Sequence, residues 1–142
     1  MAGSRSAEGE GTAAMPFSRS KLEPFRCEVH PARAAVHVRP VGELDLATAP
    51  IVDAELADLW AVGFSSVVLD LREVCFLDST GVHLLFSWIA ACEADGIAFQ
   101  VIPGPPLVQR VIELTGLSDR VPFTSPNGAG ELPAIDEGST AA

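Results

Sequence analysis

Asp78-Ser79-Thr80-Gly81 puts a carboxylate, two hydroxyls and a residue without a side chain into one run of four. The run stands between an apolar, β-branched segment, Val67 to Leu71, and a segment in which Val82, Leu85, Phe86 and Ile89 recur at helical spacing. A strand therefore delivers the polar group to the first turn of a helix whose apolar stripe faces a core. At such a turn several backbone N–H groups lack an intrahelical acceptor, and the helix end carries partial positive charge. Two uses of the run follow. Asp, Ser and Thr are the residues that cap helix starts, so the run can be purely structural. A hydroxyl held at an amide-rich edge is also a place where an esterified phosphate would be partly stabilised.

Hydrolytic chemistry fits the surrounding residues poorly. A Ser nucleophile needs a base within hydrogen-bond reach and an oxyanion hole. The only local His is His83, four residues further along the same helical path, and the G-x-S-x-G elbow is absent. The chain therefore does not read as an enzyme, and it shows no glycine loop of its own for binding a nucleotide. Cys27, Cys75 and Cys92 are odd in number, form no CxxC pair and have no His at ligand spacing. They are expected to be reduced, mostly buried thiols, with no metal and no cofactor implied.

The elements that must position the run read as one small α/β domain. Phe25 to Val29 alternates, Pro31 and Ala32 suggest a turn, and Ala34 to Val41 alternates again, which predicts two antiparallel strands. His30 and His37 are expected in solvent. Gly42-Glu43-Leu44-Asp45 ends the second strand, with Asp45 as a turn or capping residue. Thr48, Pro50 and Gly63 then bracket a helix with the stripe Val52, Leu56 and Leu59. Trp60 is expected to pack partly buried. The helix after Asp78 stops at Asp95-Gly96, and Ile97 to Ile102 should lie parallel to Val67 to Leu71, because a helical crossover joins them. Pro103-Gly104-Pro105-Pro106 breaks the chain before a helix carrying Leu107, Val108, Val111, Ile112 and Leu114. Thr115-Gly116-Leu117 closes that helix, and Val121 to Phe123 could form an edge strand.

Length and composition bound the rest. A chain of 142 residues, 48% apolar, suits one core. We place the domain at 22–124, between a disordered tail at 1–21 and a flexible, acidic tail at 125–142. No run approaches the roughly 20 apolar residues of a membrane span, and the N-terminus lacks the apolar block of a signal peptide. A cytoplasmic protein without membrane insertion is expected. The net charge is −10, and between Leu22 and Phe123 fourteen acids face six arginines and no lysine. Such a surface repels phosphodiester backbones, so a regulator built this way acts through a protein and not on nucleic acid directly.

Four stretches together carry a resemblance: GELD at Gly42 to Asp45, VVLDL at Val67 to Leu71, FLDSTG at Phe76 to Gly81, and Leu114-Thr115-Gly116-Leu117. From Val36 to Phe123 the chain resembles the STAS domain of bacterial anti-sigma factor antagonists. The resemblance implies a mixed four- to five-stranded sheet with about three helices packed mainly on one side. It implies that Ser79 is phosphorylated, and that Asp45 lies beside Ser79 and takes part in recognising an anti-sigma factor. The partner-binding face would comprise Asp45, Asp78, Ser79, Thr80, Gly81, His83 and Leu84, with Trp88 one turn beyond Leu84. Within it Thr80 would shape the site, and Gly81 would let another backbone approach. The implied partner is an anti-sigma factor that is also a serine kinase: the unphosphorylated domain binds it and frees sigma, phosphorylation switches binding off, and a serine phosphatase resets the cycle. The alternative is a constitutive scaffold, such as the subunit of a lipid-transport ATPase assembly, with no phosphate cycle. One departure stands out. The family commonly adds a further C-terminal helix, and here only Leu132 to Glu137 offers a turn of one.

Overall fold

Alternating side chains build the first hairpin. β1 (Arg26–Pro31) and β2 (Val36–Leu44) pair antiparallel, from Arg26 opposite Val41 to Pro31 opposite Val36. In the computed structural model, which describes residues 24–126, the Ala32 amide donates to the Ala35 carbonyl and closes the turn. Pro31 therefore ends a strand instead of opening the turn. That position is tolerable for a residue without an N–H because β1 is the sheet's edge. Phe25, Cys27 and Val29 pack against the core, as their alternation predicts. The segments at 1–21 and beyond 126, including Leu132 to Glu137, lie outside the described residues.

β2 then serves two further partners. Its first half lies parallel to β3 (Ser66–Asp70), and its end, past an irregularity at Gly42/Glu43, lies parallel to β4 (Val74–Leu77). Gly42 has φ 119°, and a Cβ there would stand 3.3 Å from the Phe25 ring, so the bend favours glycine on both counts. β5 (Ala98–Ile102) adds parallel to β3, giving the order β1-β2-β3-β5 with β4 beside the end of β2. The expected mixed sheet is present, with five strands. No element is expected over Val74 to Leu77, because four residues offer too few alternations to reveal a strand. Val121 to Phe123 contributes one parallel bridge, Phe123 to Val101, and no full strand.

Three helices pack on this sheet: α1 (Ala49–Val62), α2 (Ser79–Ala94) and α3 (Pro106–Leu114). Pro50 sits in the first turn of α1, and Gly63 closes it at φ 86°. Val52 and Leu56 of α1, Leu85 and Ile89 of α2, and Val108 and Ile112 of α3 enter one continuous core with Val36, Val38, Leu69 and Val101 of the strands. All three helices thus share one side of the sheet.

Part of the other side is buried too. Ala35, Val68 and Ile102 form a separate buried group there, and among the described residues His37 and Asp70 are the buried polar ones, while Arg26, His30 and Gln100 on the same face are exposed. This corrects the expectation that His37 is solvated: alternation tells which side of a sheet a residue faces, not whether that side is wet. His30 is exposed as expected. Asp70, with 0% exposure, accepts from the Arg72 amide at 3.0 Å, from Arg72 Nε at 2.9 Å and Nη2 at 2.7 Å, and from Arg39 Nε at 3.3 Å. Burial alone would push its carboxyl up, but the hydrogen bonds and charge of Arg72, with Arg39 behind them, hold it below the ordinary carboxylate range. A depressed carboxyl stabilises the fold above its unfolded pKa of about 4, and that contribution fades as pH falls further. Asp70→Ala should therefore lose about 1–3 kcal/mol at neutral pH. It should also flatten the acid-side decline below about pH 4. Urea midpoints measured across pH check both.

Candidate functional site

β2 and β4 end side by side, Leu44 opposite Leu77, so Asp45 and Asp78 leave neighbouring strands at one edge. The Asp78 amide donates to the Leu44 carbonyl at 3.3 Å. From there its carboxylate reaches two ways. Oδ1 accepts from the Gly81 amide at 3.0 Å and caps α2, while Oδ2 accepts from the Leu46 amide at 3.2 Å. Asp45 organises its own turn: its Oδ1 accepts from the amides of Ala47 at 3.0 Å and Thr48 at 3.1 Å. The Thr48 hydroxyl accepts from the Asp45 amide at 2.9 Å and donates to the Glu43 carbonyl at 2.6 Å.

Ser79 follows as the first residue of α2, exposed to solvent. Because Asp78 serves the Gly81 amide, the amides of Ser79 and Thr80 are the helix-start donors left without an acceptor among the described residues. Asp45 and Thr80 are half-buried beside Ser79's segment, and His83 is exposed one turn on. The structural and functional readings of the tetrapeptide therefore occupy different atoms: Asp78 caps, and Ser79 is displayed.

Two expectations change. Gly81 is buried, and a Cβ on it would lie 2.5 Å from Leu77 Cδ1 and 2.9 Å from the Leu44 carbonyl oxygen. The backbone that approaches it belongs to β2 of the same molecule. Leu84 is 8% exposed and belongs to the core, because α2 buries one flank on the sheet and another against α1. It offers only an edge to the surface.

That edge is part of the floor of a groove of about 360 Å³ between the start of α1 and the first turns of α2. Leu46, Ala49, Pro50 and Asp53 line one side, and Thr80, His83, Leu84 and Ser87 the other. Of the first four, Pro50 is expected from the sequence only as a helix-start residue, and none as a site residue. Leu46, 73% exposed, precedes the helix and lies outside its Val52–Leu56–Leu59 stripe; a large apolar residue off the stripe was the available hint. Deeper along the seam, Trp88 Nε1 donates to Asp53 Oδ1 at 2.8 Å. The ring of Trp88 meets Trp60 edge to face, with centroids 5.7 Å apart.

Ser79 makes no hydrogen bond to His83 among the described residues. Burial, followed by Glu55 and Glu28, pushes the Cys27 thiol up to about 12. Burial also raises Cys92, with Asp95 adding to it, and raises Cys75, with Glu43 adding to it. None is an activated thiolate, although Cys75 is exposed where a buried thiol was expected. Among the described residues no three His, Cys, Asp or Glu gather to hold a metal, and no helix is long and apolar enough to cross a membrane.

Two substitutions test this framework. Gly81→Ala gains up to about 1 kcal/mol of helix propensity, yet the clash with Leu77 and the Leu44 carbonyl costs about 1–3 kcal/mol, so thermal denaturation should show a net loss. Asp78→Ala should cost about 1–2 kcal/mol and speed amide exchange at both Gly81 and Leu46. Faster exchange at Gly81 alone would show that Leu46 is not held by this carboxylate.

Known proteins are similar to this chain in sequence and in fold. The anti-sigma-B factor antagonist of Staphylococcus aureus is 28% identical over 82 residues, spanning 58% of this chain and 76% of that one. The crystal structure of an anti-sigma factor antagonist from Mycobacterium paratuberculosis superposes with a TM-score of 0.65 at 27% identity, covering 78% of this chain and 95% of that one. SpoIIAA in its unphosphorylated form shares the fold, with a TM-score of 0.61 at 21% identity over 83% of this chain and all of that one. The STAS domain family model matches residues 28–127, which takes in nearly the whole sheet and all three helices. The chain belongs to the STAS domain family.

Proposed function

We propose that this protein is an anti-sigma factor antagonist of the bacterial cytoplasm. Its unphosphorylated form binds an anti-sigma factor that is also a serine kinase, and phosphorylation of Ser79 ends the binding. The observation that carries this reading is the exposed hydroxyl of Ser79 at the start of α2, with the segments of Asp45 and Asp78 beside it and an apolar-floored groove adjoining. In this scheme Asp45, Asp78, Ser79, Thr80 and His83 face the partner, Leu46 and the edge of Leu84 give it apolar contact, and Gly81 holds α2 against β2. The names of the Staphylococcus and Mycobacterium relatives support the general role.

The chemistry of switching is electrostatic. The kinase brings ATP and Mg²⁺, the Ser79 oxygen takes the terminal phosphoryl group, ADP leaves, and the hydroxyl proton passes to a base on the kinase. The ester adds roughly −1.5 to −2 units of charge beside two carboxylates. The Ser79 and Thr80 amides and the helix end can accommodate it, so the fold need not rearrange. The partner experiences the change. Like charges juxtaposed at an interface cost several kcal/mol, and each 1.4 kcal/mol is tenfold in affinity. A serine phosphatase restores the hydroxyl by hydrolysis.

Protein recovered from cells should yield a phosphopeptide at Ser79. Ser79→Ala should retain the partner that the wild type captures, while Ser79→Asp weakens capture by at least about tenfold, equivalent to 1.4 kcal/mol. Equal capture by both variants would replace the switch with a constitutive scaffold.

A further inference from the structure

The sheet face opposite the helices holds a titratable group that the partner site does not use. His37 is the second residue of β2, with 2% of its surface exposed, and among the described residues neither ring nitrogen has a hydrogen-bond partner. A neutral imidazole so placed leaves one N–H and one lone pair unmatched; an imidazolium would leave two N–H groups and a charge. The surroundings offer no easy remedy. Asp70, on the neighbouring strand β3, is engaged by Arg72 at 2.7 Å and 2.9 Å and by Arg39 at 3.3 Å. Glu28 of β1 is drawn to Arg26 at 2.8 Å and to Arg39 at 3.7 Å. His30 of β1 stands in register opposite His37. Among the groups acting on His37, the one carboxylate, Asp70, is set against Arg39, Arg72 and His30. Burial lowers the proton affinity of His37 below the ordinary imidazole range; Asp70 opposes it, and Arg39, Arg72 and then His30 reinforce it.

We infer that His37 is an acid-operated latch: protonation is incompatible with its seat in the sheet, so acidification opens the face around it and loosens β2 as far as Asp45. The coupling runs along one element, because β2 carries His37 in its first half and Gly42-Glu43-Leu44 at its end, where the Asp45 turn begins. The sign follows from linkage. A group that stays neutral when folded and gains a proton when unfolded favours unfolding wherever the unfolded chain binds more protons, which begins as pH drops through about 6.5. This window lies above the one in which Asp70 loses its grip, since unfolded carboxylates protonate only near pH 4.

The chain has three histidines, so ring NMR signals resolve the question on the intact protein. His30 and His83 are exposed, which separates their ring signals from that of the buried His37, and the His37 ring should stay neutral in the folded protein below the ordinary imidazole range. The unfolding constant of the wild type, from urea titrations, should rise relative to that of His37→Phe by a factor approaching ten per pH unit below about 6. Amide exchange at Leu44 to Thr48 should quicken at pH 5.5 in the wild type and not in the variant. A His37 ring that titrates near 6.5 in the folded protein overturns the proposal. Parallel stability curves for the two proteins overturn it as well, and unchanged exchange at Leu44 to Thr48 overturns the link to the site. If His37→Phe does not fold, the wild-type ring titration and exchange data decide alone.

Discussion

The Asp78 carboxylate joins two parts of the chain that are distant in sequence. One oxygen holds the first turn of α2 and the other holds the segment leading into α1. Without it, the amides of Gly81 and Leu46 would each need another acceptor, and both walls of the groove would lose a fixed point. Placing Ser79 at the first helical position makes this arrangement necessary. That position is exposed because it lies at the helix end, and a helix end holds its shape only when the preceding residue satisfies the orphan amides. Capping and display are therefore two consequences of one local geometry, carried by adjacent residues.

Gly81 supplies the complementary constraint from below. Its lack of a side chain lets α2 settle within contact of the Leu44 carbonyl and the Leu77 side chain. The helix start is thereby pinned to the ends of β2 and β4, and the Asp45 turn comes alongside. The parallel pairing of Leu44 with Leu77 brings GELD and FLDSTG to one edge. The spacing of those motifs does not reveal their adjacency. The resemblance to a known family supplied it, and the register of the end of β2 against β4 realises it.

Legibility in the sequence followed the strength of local pattern. Val52 and Leu56 of α1, and Leu85 and Ile89 of α2, repeat at helical spacing and reach the core as expected, while Gly63 and Gly116 take the left-handed conformations that helix endings use. The hairpin of β1 and β2 was equally plain. Features that depend on how many faces of an element are covered were not legible. Leu84 looks like a surface residue until α1 packs against a second flank of α2. His37 looks solvated until its own part of the sheet's far side proves buried. β4 was too short to show a period, and the exposed Leu46 gained meaning only once the groove beside it was formed.

Both tryptophans of the chain meet at the seam of α1 and α2, and the indole N–H of Trp88 rests on Asp53, a wall of the groove. An occupant that brings a cation to Asp53 meets a carboxylate whose Oδ1 already accepts from that indole. The indole pair thus stands one contact from the groove, through Asp53, and its intrinsic emission is the expected optical gauge of occupancy without any attached label.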